Sequence, residues 1–453
     1  MPVDDRKGVD FSSFLLLVNL GITAAIIACF LIKGPNDYVN IRSFYLSLAF
    51  SAQNFCFLFA VRRRPDPFVL LMVIHALFFY ELRVATLLWS PFSIVFVRNL
   101  FSAADLNFAI LFVMAANCAI FLGVNLFPDH GLRPLQVREK LSVRLGVPVM
   151  LFAFGVLFNL SSVATAVIRG YASIVFNYEY VLLFALVIYA LYYDSLVRRQ
   201  RILIVCMAVF FVIFRTAIGS RSAILTLFFY IVCVWFSVRG RFMLAKKTYL
   251  ALVAAVPIAL VLFLAASFVR APIKGLQFQE LLDRLGLLDM SAEIMASRLQ
   301  YGGVVNVAHY FKSVIDSGLT PGFNLFDAPK AANAVSAIYT AMPGISLQIV
   351  RDNYNSDMMT LYGEACALLG PLAGWAGILI AAFLFQKIYR SCVFADTFKT
   401  VVSRTVILVI FHTYFLGSFG IDWFIVDFIR SAAPFIALFY LFSRYVRRTL
   451  VRV

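Results

Sequence analysis

Long apolar segments separated by short polar ones recur along the whole chain. Each segment runs for about 20 residues, the length that an α-helix needs to cross ~30 Å of hydrocarbon. Short segments that alternate apolar and polar residues, as barrel strands do, are absent from the pattern, so the spans are predicted to be helices. The pattern predicts an all-α polytopic membrane protein with about twelve transmembrane helices, at residues 13–33, 43–61, 67–90, 105–127, 147–168, 177–195, 202–218, 222–238, 248–269, 358–385, 401–418 and 431–445.

Composition supports this fold class, and the charge distribution adds an orientation. The chain is 62% hydrophobic and 14% charged, with a net charge of +16, whereas soluble domains carry roughly 25% charged residues. The basic residues form short clusters between apolar runs, which is the positive-inside pattern of cytoplasmic loops beside anionic lipid rather than a nucleic-acid surface. Both termini are therefore predicted to be cytoplasmic, and the partner of the charges is the lipid bilayer, with no role for nucleic acid.

One polar segment is much longer than the others and divides the chain into three parts. We expect a membrane domain of about nine helices at 1–269, a periplasmic cap loop at 270–357, and three further helices at 358–453. A structureless loop of this length is unusual unless it is functional. Its first part predicts an amphipathic helix that packs over the membrane helices, because apolar residues recur at helical spacing: Leu281, Leu285, Leu288, Ala292, Met295 and Leu299.

The stretch "TAIGSRSAILTL" (216–227) is predicted to turn at the outer face between the seventh and eighth helices. Arg215 precedes it and Arg221 lies within it. Two guanidinium groups beside a helix N-terminus form an anion site. The alternative is that both arginines only extend their charged ends to the interface. Further arginines in the cap, Arg270, Arg298 and Arg351, add to the candidate anion-binding set.

Candidate proton acceptors lie where the cap returns to the membrane. Glu364 is predicted near the outer end of the tenth helix, Asp352 just before that helix, and His309 on a helical stretch of the cap. A carboxylate at such a position is costly unless it is paired, hydrated or functional, and an ion pair that only fixes helix packing is the competing interpretation. His75, with Glu81 and Arg83 on the same helix, is interpreted as an internal packing group, and His130 and His412 belong to no pattern.

Glycines and the remaining motifs restrict the chemistry. Gly363, Gly370, Gly374 and Gly377 favour close helix packing over phosphate binding, since small residues let membrane helices approach. The sequence contains no Walker A, HExxH or CxxC pattern, so neither nucleotide hydrolysis nor a metal site nor another cofactor is predicted.

Two stretches resemble a known family. "GSRSAILTL" is similar to the Gly-Ser-Arg signature of Wzy-type oligosaccharide repeat-unit polymerases, which act in O-antigen and exopolysaccharide biosynthesis, and of the related O-antigen ligases. "LYGEACALLGPLAGWAG" is similar to the stretch of those polymerases in which an acidic residue is followed by spaced glycines. The resemblance covers roughly residues 200–385. "ACALLG" departs from the more aromatic, asparagine-containing run expected after the acidic residue.

The resemblance implies a GT-C-like glycosyltransferase of the bacterial inner membrane that polymerises undecaprenyl-diphosphate-linked repeat units at the periplasmic face. The acceptor hydroxyl would attack the anomeric carbon, and the lipid diphosphate would leave, its charge held by arginines without a metal. Glu364, Asp352 or His309 would take the hydroxyl proton. A chain-length regulator and a flippase are the implied protein partners.

Two other functions fit the same features. A glycan ligase would share the architecture and the arginines but use a different acceptor. A transporter or flippase of lipid-linked glycans would bind its substrate at the midplane, on helices broken at corresponding positions of two repeats. No repeat relates the two halves of this sequence, and the long outer cap favours an enzyme.

Overall fold

The computed structural model describes residues 9–89, 102–126, 141–143, 179–192, 196–217, 223–239, 243–244, 288, 291–292, 295, 307–316, 325–326, 361–394, 397–417 and 450–452. These residues are mainly helical. The helices are α1 (Phe11–Lys33), α2 (Ile41–Arg63), α3 (Pro67–Trp89), α4 (Ala103–Asn125), α5 (Glu179–Tyr192), α6 (Arg198–Ala217), α7 (Ala223–Arg239), α8 (Val307–Val314), α9 (Leu361–Ser391) and α10 (Thr397–Ile410). The π-helical segments among the described residues include Ala76–Glu81 within α3 and Phe411–Leu416 directly after α10.

Five of the described helices, α1 to α4 and α9, are long and apolar enough to cross a membrane. The chain is therefore an α-helical membrane protein. Helices α5, α6, α7 and α10 occupy four more of the predicted spans, with shifted ends. The predicted helices at 147–168, 248–269 and 431–445 lie outside the described residues.

Side-chain caps explain where several helices begin. Asp10 accepts from the backbone N–H of Ser12 (3.2 Å), and Asn40 accepts from that of Ser43 (2.9 Å). At α2 and α4 the third residue of the helix returns the bond to the cap, which completes a capping box. Because the first N–H groups of a helix lack internal partners, these polar residues fix the helix starts that apolar periodicity alone leaves open.

One contiguous apolar core joins the membrane helices. Helices α4 and α9 approach closely at Gly123, where a Cβ atom would lie 2.5 Å from the carbonyl oxygen of Leu379. Trp375 Nε1 also donates to the carbonyl oxygen of Ala115 across this contact (2.9 Å). The outer faces of the helices keep large apolar side chains exposed, as a lipid-facing surface requires: Leu17, Leu31, Ile213, Leu372 and Ile380 are among them.

Three described residues of the predicted cap segment, 270–357, join the same core. Leu288, Ala292 and Met295 are helical, at most 3% exposed, and packed into the apolar cluster of the membrane helices. All three belong to the set of apolar residues predicted at helical spacing, and the rest of that set lies outside the described residues. Beyond α8, Asp316 Oδ1 accepts from the backbone N–H of Phe326 (3.1 Å).

Two short antiparallel ladders were not predicted. Strand β1 (Val9–Asp10) pairs with β3 (Met243–Leu244), and β2 (Leu141–Val143) pairs with β4 (Leu450–Arg452). Paired strands must lie on the same side of a membrane. The alternation of basic clusters places all four segments on one side, so the ladders agree with that alternation.

Candidate functional site

Helix α9 is interrupted near its start, and the interruption places Glu364. Gly370 has φ 79° and ψ 169°, a conformation open essentially to glycine alone, and Pro371 follows it. A Cβ atom on Gly374 would lie 2.6 Å from the carbonyl oxygen of Ala365, although nine residues of unbroken helix would separate the two by about 13 Å. Residues 361–369 therefore fold back against residues 371–391. We call this feature the α9 reversal.

The α9 reversal moves Glu364 from the predicted interface into the interior. The part from Pro371 to Ser391 can span about 30 Å on its own, so the first part runs back along it. Tyr362 donates to Asn117 Oδ1 (2.7 Å), well inside α4. Glu364 is 1% exposed. The predicted helix 358–385 is thus present but broken, because the Gly-Pro pair ends the first helical segment.

Helix α3 forms the opposite wall. The ring of Tyr80 packs edge-on against that of Tyr362, with centroids 5.3 Å apart. Arg83, three residues further along, is 1% exposed and donates from Nη1 to Thr86 Oγ1 (3.2 Å). We give the name interior cluster to Tyr80, Tyr362 and Asn117, which contact one another in series, together with Arg83 and Glu364, which are buried nearby in sequence on α3 and α9. It holds a carboxylate, a guanidinium and two phenols in a region of the bundle with little exposure to solvent.

Next to the interior cluster, α2 and α3 are joined by a buried polar pair. Asn54 Nδ2 donates to Glu81 Oε2 (2.8 Å), and both side chains are fully buried. One turn earlier, Ser51 Oγ donates to Asn19 Oδ1 of α1 (3.2 Å) and also contacts Thr23. Polar side chains of three helices thus lie close together away from solvent.

A histidine pair links α3 to the segment after α10. His75 Nε2 and His412 Nδ1 lie 2.6 Å apart, so one ring donates and the other accepts. The ring of Phe229 stacks on His412 with centroids 3.4 Å apart, and Phe79 stacks on His75 at 4.9 Å. Among the described residues, no third histidine, cysteine, aspartate or glutamate completes a group of three metal-ligating side chains.

Both histidines lie where a helix changes to π-helical geometry. His75 directly precedes the π segment of α3, and His412 is the second residue of the π segment after α10. Such segments occur often at functional sites. The widened turn lets both rings reach across the interface between the two helices.

Asp66 lies at the N-terminal end of α3, at the end of the bundle where the last turns of α2 and α9 carry basic residues. Asp66 caps α3 by accepting from the backbone N–H of Phe68 (2.9 Å), and it also accepts from Gln386 Nε2 (3.0 Å). Burial raises the pKa of Asp66 to about 6, against the lowering effect of these donors and of the nearby Arg390. Asp66 therefore joins α3 to the end of α9.

The structure locates only part of the predicted site. Among the eight predicted site residues it describes the side chains of Glu364 and His309, which lie on separate elements; His309 is half-buried on α8. Arg215 lies in the last turn of α6, described for its backbone only. The remaining five lie outside the described residues: Arg221, Arg270, Arg298, Arg351 and Asp352. Helix α6 ends at Ala217 and α7 begins at Ala223, and the predicted turn between them lies outside the described residues.

Sequence reasoning missed two relationships here. It grouped His75 with Glu81 and Arg83, whereas His75 bonds His412 and Glu81 bonds Asn54. These partners lie on other helices, and no local spacing reports such contacts. The α9 reversal had a signal, since Gly-Pro is a strong turn dipeptide even inside an apolar run.

Comparison with known proteins adds no relative: no family model, curated protein or solved structure matches this chain.

Proposed function

We propose that the protein is a membrane glycosyltransferase that polymerises undecaprenyl-diphosphate-linked oligosaccharide repeat units at the periplasmic face of the bacterial inner membrane. The observation that carries the proposal is the burial of Glu364 in the interior cluster. A carboxylate inside a membrane protein is costly and marks a functional site by default. The sequence around Glu364 resembles that of Wzy-type polymerases, and this resemblance is the basis for proposing glycosyl transfer as the reaction.

In the proposed reaction, Glu364 is the general base. It takes the proton from the acceptor hydroxyl as that oxygen forms a bond to the anomeric carbon of the donor sugar. The bond from that carbon to the lipid diphosphate breaks, and the diphosphate leaves with the electron pair. A positioned base contributes roughly 10²–10⁴-fold to such a step.

Arginines stabilise the leaving diphosphate in this proposal. Arg215 and Arg221 supply permanent charge and a bidentate donor geometry that suits phosphate oxygens, and Arg351, Arg270 and Arg298 approach from the cap. Arg83 of the interior cluster joins them as a further candidate, because it is a buried guanidinium on the wall that faces Tyr362. His309 and Asp352 remain alternative proton acceptors.

The interrupted helix favours one other function. Transporters bind substrates near the midplane on discontinuous helices, and α9 is discontinuous at Gly370. A flippase of lipid-linked glycans is therefore the second candidate. A glycan ligase shares every feature named for the polymerase and differs only in its acceptor.

Deletion of the gene, followed by gel analysis of the surface polysaccharide, separates the three functions. A polymerase predicts capped single repeats, a ligase predicts free lipid-linked polymer, and a flippase predicts lipid-linked units retained in the cytoplasm. A deletion strain complemented with Glu364→Gln should make about 100-fold less polymer, or less still, than one complemented with the wild-type gene. Ser391→Ala, at the far end of the same helix, is the matched control and should complement. Full complementation by Glu364→Gln would remove this residue from the reaction.

A further inference from the structure

Glu81 is a second buried carboxylate, and its environment differs from that of Glu364. It is 0% exposed in the middle of the bundle, and its Oε2 accepts from Asn54 Nδ2 (2.8 Å). Within the described ranges no lysine, arginine or histidine forms an ion pair with it. An unpaired carboxylate in an apolar interior takes up a proton rather than remain charged.

The unsatisfied atoms of this pair identify where a hydrogen is missing. Glu81 Oε1 and Asn54 Oδ1 are both buried acceptors with no hydrogen-bond donor. Their partner atoms, Oε2 and Nδ2, already bond each other. A carboxylic acid and a primary amide are complementary through two such bonds, one N–H to the acid carbonyl and one O–H to the amide carbonyl. One hydrogen on Glu81 Oε1 satisfies both orphaned acceptors.

Other ionisable groups do not supply a countercharge to Glu81. On α3, Arg83 is two residues away, a spacing that faces different sides of a helix, and it donates to Thr86. His75 bonds His412. Across the interior cluster, the facing groups are the phenol of Tyr362 and the carboxyl of Glu364, neither of which is cationic. The described charged residues of α1, α2 and α4 lie at or near helix ends: Lys33, Arg42, Arg62, Arg63 and Asp105.

We propose that Glu81 and Asn54 form an intramembrane proton-binding site, in which neutral Glu81 donates from Oε1 to Asn54 Oδ1 while Asn54 donates to Oε2. A bound metal cation is the alternative ligand, but a hard cation takes about six or more oxygen ligands, and only two acceptors are orphaned. The Ser51 hydroxyl, which is close enough to interact with Glu81, directs its bonds to Asn19 and Thr23. This site is independent of the proposed glycosyl transfer.

Infrared spectroscopy of the purified, reconstituted full chain tests the proposal. The expected result is a protonated-carboxyl carbonyl band at neutral pH that is lost in Glu81→Gln. In Asn54→Leu the band should persist at higher frequency, because the acid has lost its acceptor. Ser47→Ala is the matched control, because Ser47 is buried on the same helix and donates to the carbonyl oxygen of Ser43, and it should leave the band unchanged. A neutral-pH spectrum in which Glu81→Gln removes no acid band, or in which Ser47→Ala shifts it, would overturn the assignment.

Thermal unfolding separates a bound proton from a bound metal ion. Glutamine reproduces the donor and acceptor of a protonated glutamate, so Glu81→Gln should melt as the wild type does, whereas Glu81→Ala should melt lower. Sodium chloride and choline chloride at equal ionic strength should give the same melting temperature. Stabilisation by sodium that is present in the wild type and lost in Glu81→Gln would contradict the proposal in favour of a cation site.

Discussion

The histidine pair and the α9 reversal both hold polar side chains in the interior, by opposite means. His75 and His412 are 337 residues apart, and they meet because the α-helical part of α3 that ends at His75 packs against the π segment after α10, where Phe229 stacks on His412. Glu364 reaches the interior because its own helix is broken six residues later, at Gly370. In the first region tertiary packing fixes the contact, and in the second a local backbone conformation does.

This difference separates the roles of the two regions. The histidines bond each other within an aromatic enclosure, and this bond links two helices, although the other ring nitrogen of His75, Nδ1, has no hydrogen-bond partner. The reversal buries the carboxylate of Glu364 through the backbone conformation of Gly370, which residues other than glycine rarely adopt. Strained conformations of this kind cluster at functional sites. We therefore propose a stabilising role for the histidine pair and a catalytic role for the reversal.

The largest effect is expected from filling the space inside the reversal. Gly374→Leu places a side chain where the carbonyl oxygen of Ala365 already lies, so residues 361–369 must move away. Overpacking of this kind costs about 3 kcal/mol, and polymer yield should fall with it. Gly21→Leu, on α1 where a Cβ meets no neighbour, is the control and should be tolerated. Thermal unfolding and polymer yield check both, and normal yield from Gly374→Leu would show that the reversal is dispensable.

A smaller loss is expected at the turn itself. Gly370→Ala meets no neighbouring atom, so its cost comes from the positive φ alone, about 1–3 kcal/mol. Gly377→Ala, in ordinary helical geometry on the same helix, should be neutral. Equal melting temperatures for the two variants would argue against the strained turn.

The histidine pair should affect stability without affecting transfer. His75→Leu or His412→Leu leaves one buried nitrogen without its partner, at a cost of about 1–3 kcal/mol. The double variant should lose less than the sum of the two, since it removes both polar rings. Polymer yield per folded molecule should stay near that of the wild type. A loss of yield with unchanged stability would instead place the pair in the reaction.

The smallest effect is a pH dependence of stability from Asp66. Its pKa is about 6 in the folded protein, above the usual value near 3.8, so the folded state binds a proton that the unfolded state releases. Stability should therefore rise by about 1 kcal/mol as the pH falls from about 7 to about 5. Asp66→Asn keeps the helix cap and removes the titration, so this rise should be absent. An identical rise in both proteins would assign the effect to another group.

The sequence predicts the helices well because burial in lipid demands long apolar runs. It predicts helix starts less well, since Asn40 and Ser102 are recognised as caps only once their partners are in place. The two-residue ladder between Val9–Asp10 and Met243–Leu244 carries too little pattern to be seen. For the candidate site, the sequence singles out Glu364 because a carboxylate in an apolar run is costly, whereas Asn54 and His412 can be recognised only through a partner on another helix.

The most direct test of the central claim uses purified protein in vesicles, supplied with lipid-linked repeat units on the side that corresponds to the periplasm. The account predicts that the wild type lengthens the glycan and releases undecaprenyl diphosphate in equal measure. Glu364→Gln, at a matched amount of folded protein, should do neither, while the His75→Leu, His412→Leu double variant should do both. Movement of repeat units across the vesicle membrane at unchanged length, with no release of lipid diphosphate, would contradict the account and identify a transporter.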